Sequence, residues 1–183
     1  MNHPYLSIPQ QQYIWLIIIT SLFTFLLTAG QIWVNMSLVN DAAPAGMLSL
    51  QFAGNLANAR LIIHSWDYIA KMRAAFGIGL DFLYIVAYST ALGLLCVYVA
   101  HWWTFLGSWG KIGIPLGWLQ WLAAALDGVE NLSLIALLCE NGFAWLPWLA
   151  YWAAVVKFSI IGLALLYLLA GFFVLWWRVR LDG

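Results

Sequence analysis

Apolar residues run through this chain in four long stretches, broken by short polar interludes. The first extends from about Ile14 to Asn35 and the second from about Ala74 to Ala100. The third runs from about Ile114 to Cys139 and the fourth from about Leu149 to Trp177. Crossing about 30 Å of hydrocarbon takes roughly 20 helical residues, so each stretch is long enough to span a bilayer. The prolines agree with these limits. Pro4 and Pro9 fall in the amino-terminal tail, Pro44 falls in a loop, and Pro115 and Pro147 sit at helix starts, where a missing N–H does no harm. The pattern predicts an all-α integral membrane protein, a four-transmembrane-helix bundle forming one domain over residues 1–183.

The connection from Met36 to Arg73 is too long for a bare turn between antiparallel helices. Its segment "MLSLQFAGNLANARLIIHSWDYIAKM" reads as a helix over about 46–71 with polar stripes on two faces. Gln51, Asn55 and Asn58 form one stripe, and Arg60, His64, Asp67 and Lys71 form the other. A helix that is wet on two faces suits an interfacial or re-entrant position better than a fifth span. An even number of spans puts both chain ends on one side, here called the inner side. The basic residues divide evenly: Lys111, Arg178 and Arg180 against Arg60, Lys71 and Arg73. The positive-inside rule is then balanced, and we expect both ends in the cytoplasm.

Composition strengthens the membrane reading. Hydrophobic residues make up 65% of the chain and charged residues 8%, against roughly a quarter charged in soluble domains. Net charge is zero, which gives no reason to expect a nucleic-acid partner. The 13 Trp fit the interfacial belts of a multi-pass protein. Trp15, Trp102, Trp103, Trp109, Trp118, Trp121, Trp176 and Trp177 are expected on the inner side. Trp33, Trp66, Trp145, Trp148 and Trp152 are expected on the outer side. The tail "MNHPYLSIPQQQY" has no Lys or Arg and so lacks the basic region of a secretory signal, and the first apolar run is expected to remain as a span.

The candidate chemistry lies inside the spans. "LDGVENLSLIALL" places Asp127, Glu130 and Asn131 within five residues of the third span, where hydrocarbon penalises such groups by several kcal/mol each. Thr20, Thr24, Thr28, Gln31 and Asn35 share a face of the first span, Asp81, Tyr84 and Tyr88 share a face of the second, and Lys157 lies in the fourth. At about 1.5 Å of rise per residue, Asp81, Glu130 and Lys157 all fall roughly two to three turns from the outer end of their helices. Gln31 and Asn35 mark the outer end of the first span. Four helices thus bring their most polar residues to about one level. Intramembrane charges face a bundle interior and pair with one another, so we expect a polar pocket open toward the connection. Asp127 and Asn131, one turn apart, are expected to face one neighbouring helix and Glu130 another. Three acids meet one base there, and the excess requires Arg60, His64 or Arg73 from the connection, or a proton. Gln51 and Asn55 of the connection complete the candidate set.

Other chemistry is not signalled. The three His are scattered, no zinc spacing occurs, and there is no phosphate-binding Gly-rich loop or nucleophile elbow. No cofactor or metal is expected. The ordered set "LQFAGNLA…IIHSWD", "GLDFLYIVAYSTALGLLC", "WLAAALDGVENLSLIALL" and "KFSIIGLALLYLLAG" resembles a group of short bacterial membrane proteins of unassigned function. That resemblance covers most of the chain, implies a bacterial inner membrane, and carries no chemistry. Three functions fit the residues. The pocket could bind or process a small apolar or lipid-like ligand. The acids could serve a proton- or ion-coupled transport element, which at four spans would need to form a homo-oligomer. The polar residues could simply hold together a structural or assembly subunit.

Overall fold

The computed structural model describes residues 3–103, 107–140 and 142–181. Four long apolar helices form the bundle: α1 (Gln10–Met36), α4 (Tyr68–Trp102), α5 (Gly113–Leu138) and α6 (Leu146–Leu181). Two short helices, α2 (Met47–Gln51) and α3 (Leu56–Ser65), lie in the connection between α1 and α4. This is a four-span helical membrane protein. Even the shortest span suffices: the 26 residues of α5 reach about 39 Å at 1.5 Å each.

The connection differs from the single helix its pattern predicted, and the breaks have local causes. Gly54 has a positive φ of 72°, a conformation that favours glycine. Asn55 then takes extended backbone and its side chain accepts the Asn58 N–H (2.9 Å), capping α3. A second break falls at Trp66, which is also extended, and Asp67 caps α4 by accepting the Ala70 N–H at 2.7 Å. The polar residues of the predicted stripes are therefore partly caps. Trp66 is buried rather than interfacial, and its indole N–H donates to the Leu38 carbonyl (2.8 Å). Around it Leu38, Leu50, Ile62, Ile63, Leu134 and Leu137 form a compact outer core. Trp33, Trp145, Trp148 and Trp152 are exposed, as interfacial rings should be. The side chain of Trp102 lies outside the described residues.

Packing within the bundle is unequal. α5 sits at its centre, packed along both α4 and α6, whereas α1 leans on α4 and packs along neither α5 nor α6. Only Tyr13, Leu27 and Val34 of α1 are buried. Small residues let the central helices approach. A Cβ added at Gly113 would lie 2.3 Å from the Cys96 carbonyl and 2.5 Å from the Tyr167 hydroxyl, so a close backbone crossing requires glycine there.

The amino-terminal tail is folded back onto the inner end. His3 is buried, its Nδ1 accepts the Tyr5 N–H (3.2 Å), and its ring packs against Trp118 at 4.7 Å between centroids. Nearby, the Tyr13 hydroxyl donates to the Leu94 carbonyl at 2.9 Å. Burial holds the His3 imidazole below its usual value of 6.5, and the Gly117 backbone offsets only part of that effect.

Two outcomes follow from this packing. Gly113→Ala should destabilise the bundle by about 1–3 kcal/mol through overpacking, read as a lowered unfolding temperature in detergent. Docking of the tail should depend on pH through His3. Because its folded-state value is depressed, docking is fully stable above the ordinary value of 6.5 and weakens as pH falls below it. Hydrogen exchange at the Tyr5 and Leu6 amides, corrected for intrinsic rate, should lose protection in acid. A His3→Leu variant should remove that dependence.

Candidate functional site

The polar residues of four helices meet as one chain of contacts across the bundle. Starting from α1, the Gln31 amide donates to Asp81 Oδ1 (3.0 Å) and to the Gly77 carbonyl (3.1 Å) on α4. Asp81 Oδ2 accepts from the Asn131 amide of α5 at 2.8 Å. One turn earlier on α5, Asp127 Oδ2 accepts from the Tyr88 hydroxyl of α4 at 3.0 Å. Asp127 Oδ1 is paired with the Lys157 ammonium of α6, and Lys157 also pairs with Glu130 Oε2 at 2.7 Å. Asp127, Glu130, Asn131 and Lys157 are all buried.

Helical geometry explains these assignments. Asp127 and Asn131, four residues apart, both reach α4, and Asp127 together with Glu130 reaches Lys157 of α6. Asp81 and Tyr88, seven residues apart, present one face of α4 to α5. The hydroxyls of Thr20, Thr24 and Thr28 each donate to the carbonyl one turn back, at 2.7–2.8 Å, which satisfies them within their own helix.

Two cavities of about 340 and 370 Å³ adjoin this chain of contacts and share Leu48, Gln51, Asp81 and Tyr84 in their walls. The first is lined by Gln31, Asn35 and Asn131 and by Leu38, Met47 and Gln51 of the connection. The second is lined by Ser21 and Thr24 of α1, by Tyr88, Asp127 and Lys157, and by Phe158 and Leu165 of α6. It lies between α1 and α6, two spans that do not pack along each other. Phe158 and Leu165 in its walls are exposed. α2 reaches over the outer end of the bundle, with Leu48 and Gln51 in the cavity walls and Phe52 packed on Tyr151 and Phe158.

Other sequence candidates lie elsewhere or act differently. Arg60 and His64, expected as partners for the buried acids, are exposed and line a separate outer hollow of about 220 Å³ with Glu140. α3 turns them outward, because its apolar face, with Ala59, Ile62 and Ile63, is committed to the outer core. Asp81 is met by two amides instead of a cation. Asn55 caps α3 at the surface. Asn35 lines the first cavity but is occupied with the loop before α2: its Oδ1 accepts the Met47 N–H (2.8 Å) and its amide donates to the Ala45 carbonyl (3.3 Å). Gly46 fits against that side chain, since a Cβ there would meet Asn35 Oδ1 at 2.3 Å. Tyr88 is a direct partner of Asp127, and its position seven residues after Asp81 was the available signal.

No family model, curated protein or solved structure matches this chain.

Electrostatics sets a clear expectation for the cluster. Removing one member of a buried charge pair leaves the other uncompensated, at a cost of roughly 3–5 kcal/mol. Lys157→Met should cause a loss of about that size, measured by unfolding in detergent. Adding Asp127→Asn and Glu130→Gln to Lys157→Met should recover most of it, because no uncompensated charge then remains at that level on α5 and α6.

Proposed function

We propose that this membrane protein binds, and is equipped to act on, a lipid-like or small apolar ligand that enters sideways from the bilayer between α1 and α6. The observation that carries this reading is the lateral cleft, in which an apolar mouth leads to a wall of Asp81, Tyr88, Asp127 and Lys157. Such a shape suits an amphiphile, with its polar head on the wall and its tail among Leu92, Leu95, Ile161 and Leu165. Tyr88, Asp127 and Lys157 are in hydrogen-bond or ion-pair contact, an arrangement that can pass a proton to a bound head group. A cell membrane, by resemblance the inner membrane of a bacterium, is the proposed location.

One observation favours a purely structural reading: Lys157 engages both Asp127 and Glu130 and so locks α6 to α5. That reading leaves the cleft without a purpose. A transport relay has less support, since the inner half of the bundle offers the self-bonded Thr20 and Thr24 and a buried Gln120 bonded back to Leu116.

Native mass spectrometry and organic extraction of the purified protein separate these readings. We expect a bound amphiphile on the wild type and at least about tenfold lower occupancy on Asp127→Asn. If nothing co-purifies, and Asp127→Asn and Glu130→Gln match wild type in stability and phenotype, the pocket reading falls.

A further inference from the structure

The charges at the level of the cluster do not balance. Three carboxylates, Asp81, Asp127 and Glu130, face one ammonium, Lys157. Lys157 is already shared between Asp127 and Glu130, and even so Glu130 Oε1, on a fully buried side chain, has no hydrogen-bond partner. Among the described residues Lys157 forms ion pairs with Asp127 and Glu130 and none with Asp81. Among the described residues no cation pairs with Asp81; it receives amide N–H groups from Gln31 and Asn131. Amide donors orient a carboxylate without cancelling its charge, and an intramembrane charge calls for a counter-charge.

A second, independent observation lies beside it. Gln51 of α2 lines both cavities together with Asp81, and its buried Oε1 has no donor. A carboxylate without a cation and an amide oxygen without a donor thus border the same space, with the Tyr84 ring in the same walls.

Building on the lateral-cleft reading, we infer that the ligand is a cationic amphiphile whose head is a protonated amine, seated between Asp81 and Gln51 with its tail leaving between α1 and α6. An ammonium N–H supplies both the missing charge and the missing donor, and aromatic rings favour a cation nearby. A hydroxyl head would serve Gln51 but leave Asp81 unmatched. A quaternary ammonium would match Asp81 but bring no N–H for Gln51. An anionic head would be repelled by the surplus carboxylates. A proton on Asp81 is the competing way to neutralise it, and amine and alcohol heads would then bind alike.

The test uses the full chain in phosphatidylcholine nanodiscs, titrated with dodecylamine, dodecyltrimethylammonium and dodecanol and read by native mass spectrometry. Wild type should hold dodecylamine at least about tenfold more tightly than dodecanol, with the quaternary probe between them. Asp81→Asn should bring dodecylamine down to the dodecanol level while changing dodecanol affinity less than about twofold, and Asp81→Glu should keep the amine preference. Equal binding of amine and alcohol by wild type, or an amine preference that survives in Asp81→Asn, overturns the inference and leaves the cleft standing. If no probe binds saturably, the cleft reading fails and the inference with it. Because the wild-type comparison needs no variant, a poorly folded Asp81→Asn would not blunt the test.

Discussion

Hydrocarbon cannot solvate a charge, and the rest of this structure follows from how the chain handles that constraint at Lys157. The ammonium is buried between Asp127 and Glu130, which lie about one turn apart on α5. An arrangement of this kind is strongly destabilised when broken, although it is not by itself a large source of stability. It fixes which side of α6 meets α5. Through Asp127 it also fixes Tyr88, and one turn away Asn131 fixes Asp81, so the register of α4 against α5 is tied to the same helix. α5 is thereby the central element: it supplies a partner to α4 at two levels and to α6 at one, and glycines at its inner end let α4 approach closely.

The same constraint shapes the empty space. α1 is held through α4, by Gln31 on Asp81 and Gly77, by the Tyr13 hydroxyl on Leu94 and by packing along that helix, and supplies no member of the ion-paired centre. It forms one rim of a cleft whose opposite rim is α6. The connection folds α2 over the outer end, and the cavity between α1 and α6 borders the polar wall. Short helices do this better than the long one suggested by the pattern. Breaks at Gly54 and Trp66 let α2 face the cavities while α3 covers the outer core. The cavity on which the proposed ligand site rests is walled by Asp81, Tyr88, Asp127 and Lys157 together with apolar side chains of α4 and α6.

Residue type and spacing made much of this legible. Length and hydropathy mark four spans, since a bilayer sets a minimum run that few other contexts impose. The common depth of Asp81, Glu130 and Lys157 could be read before any contact was known, because helical rise converts sequence distance into depth. The offset of roughly 60° between Asp127 and Glu130 followed from the helical wheel in the same way, although both side chains reach the one ammonium of α6. Other features were misread for equally physical reasons. Arg60 and His64 looked like the missing cations because their spacing is helical, but spacing does not say which face of a short surface helix will be buried.

The sequence by itself determined the solvent, the number of crossings and the level at which charge is placed, because these depend on local composition and a fixed rise per residue. Only the tertiary structure decided who pairs with whom: Lys157 with both acids of α5, Asp81 with two amides, Tyr88 with Asp127, and His3 with the aromatic inner end. Those choices rest on how closely the helices approach and how they are rotated about their axes. The lateral cleft likewise arises because α1 and α6 do not pack along each other, and helical periodicity along one strand of sequence carries no record of the distance between two helices.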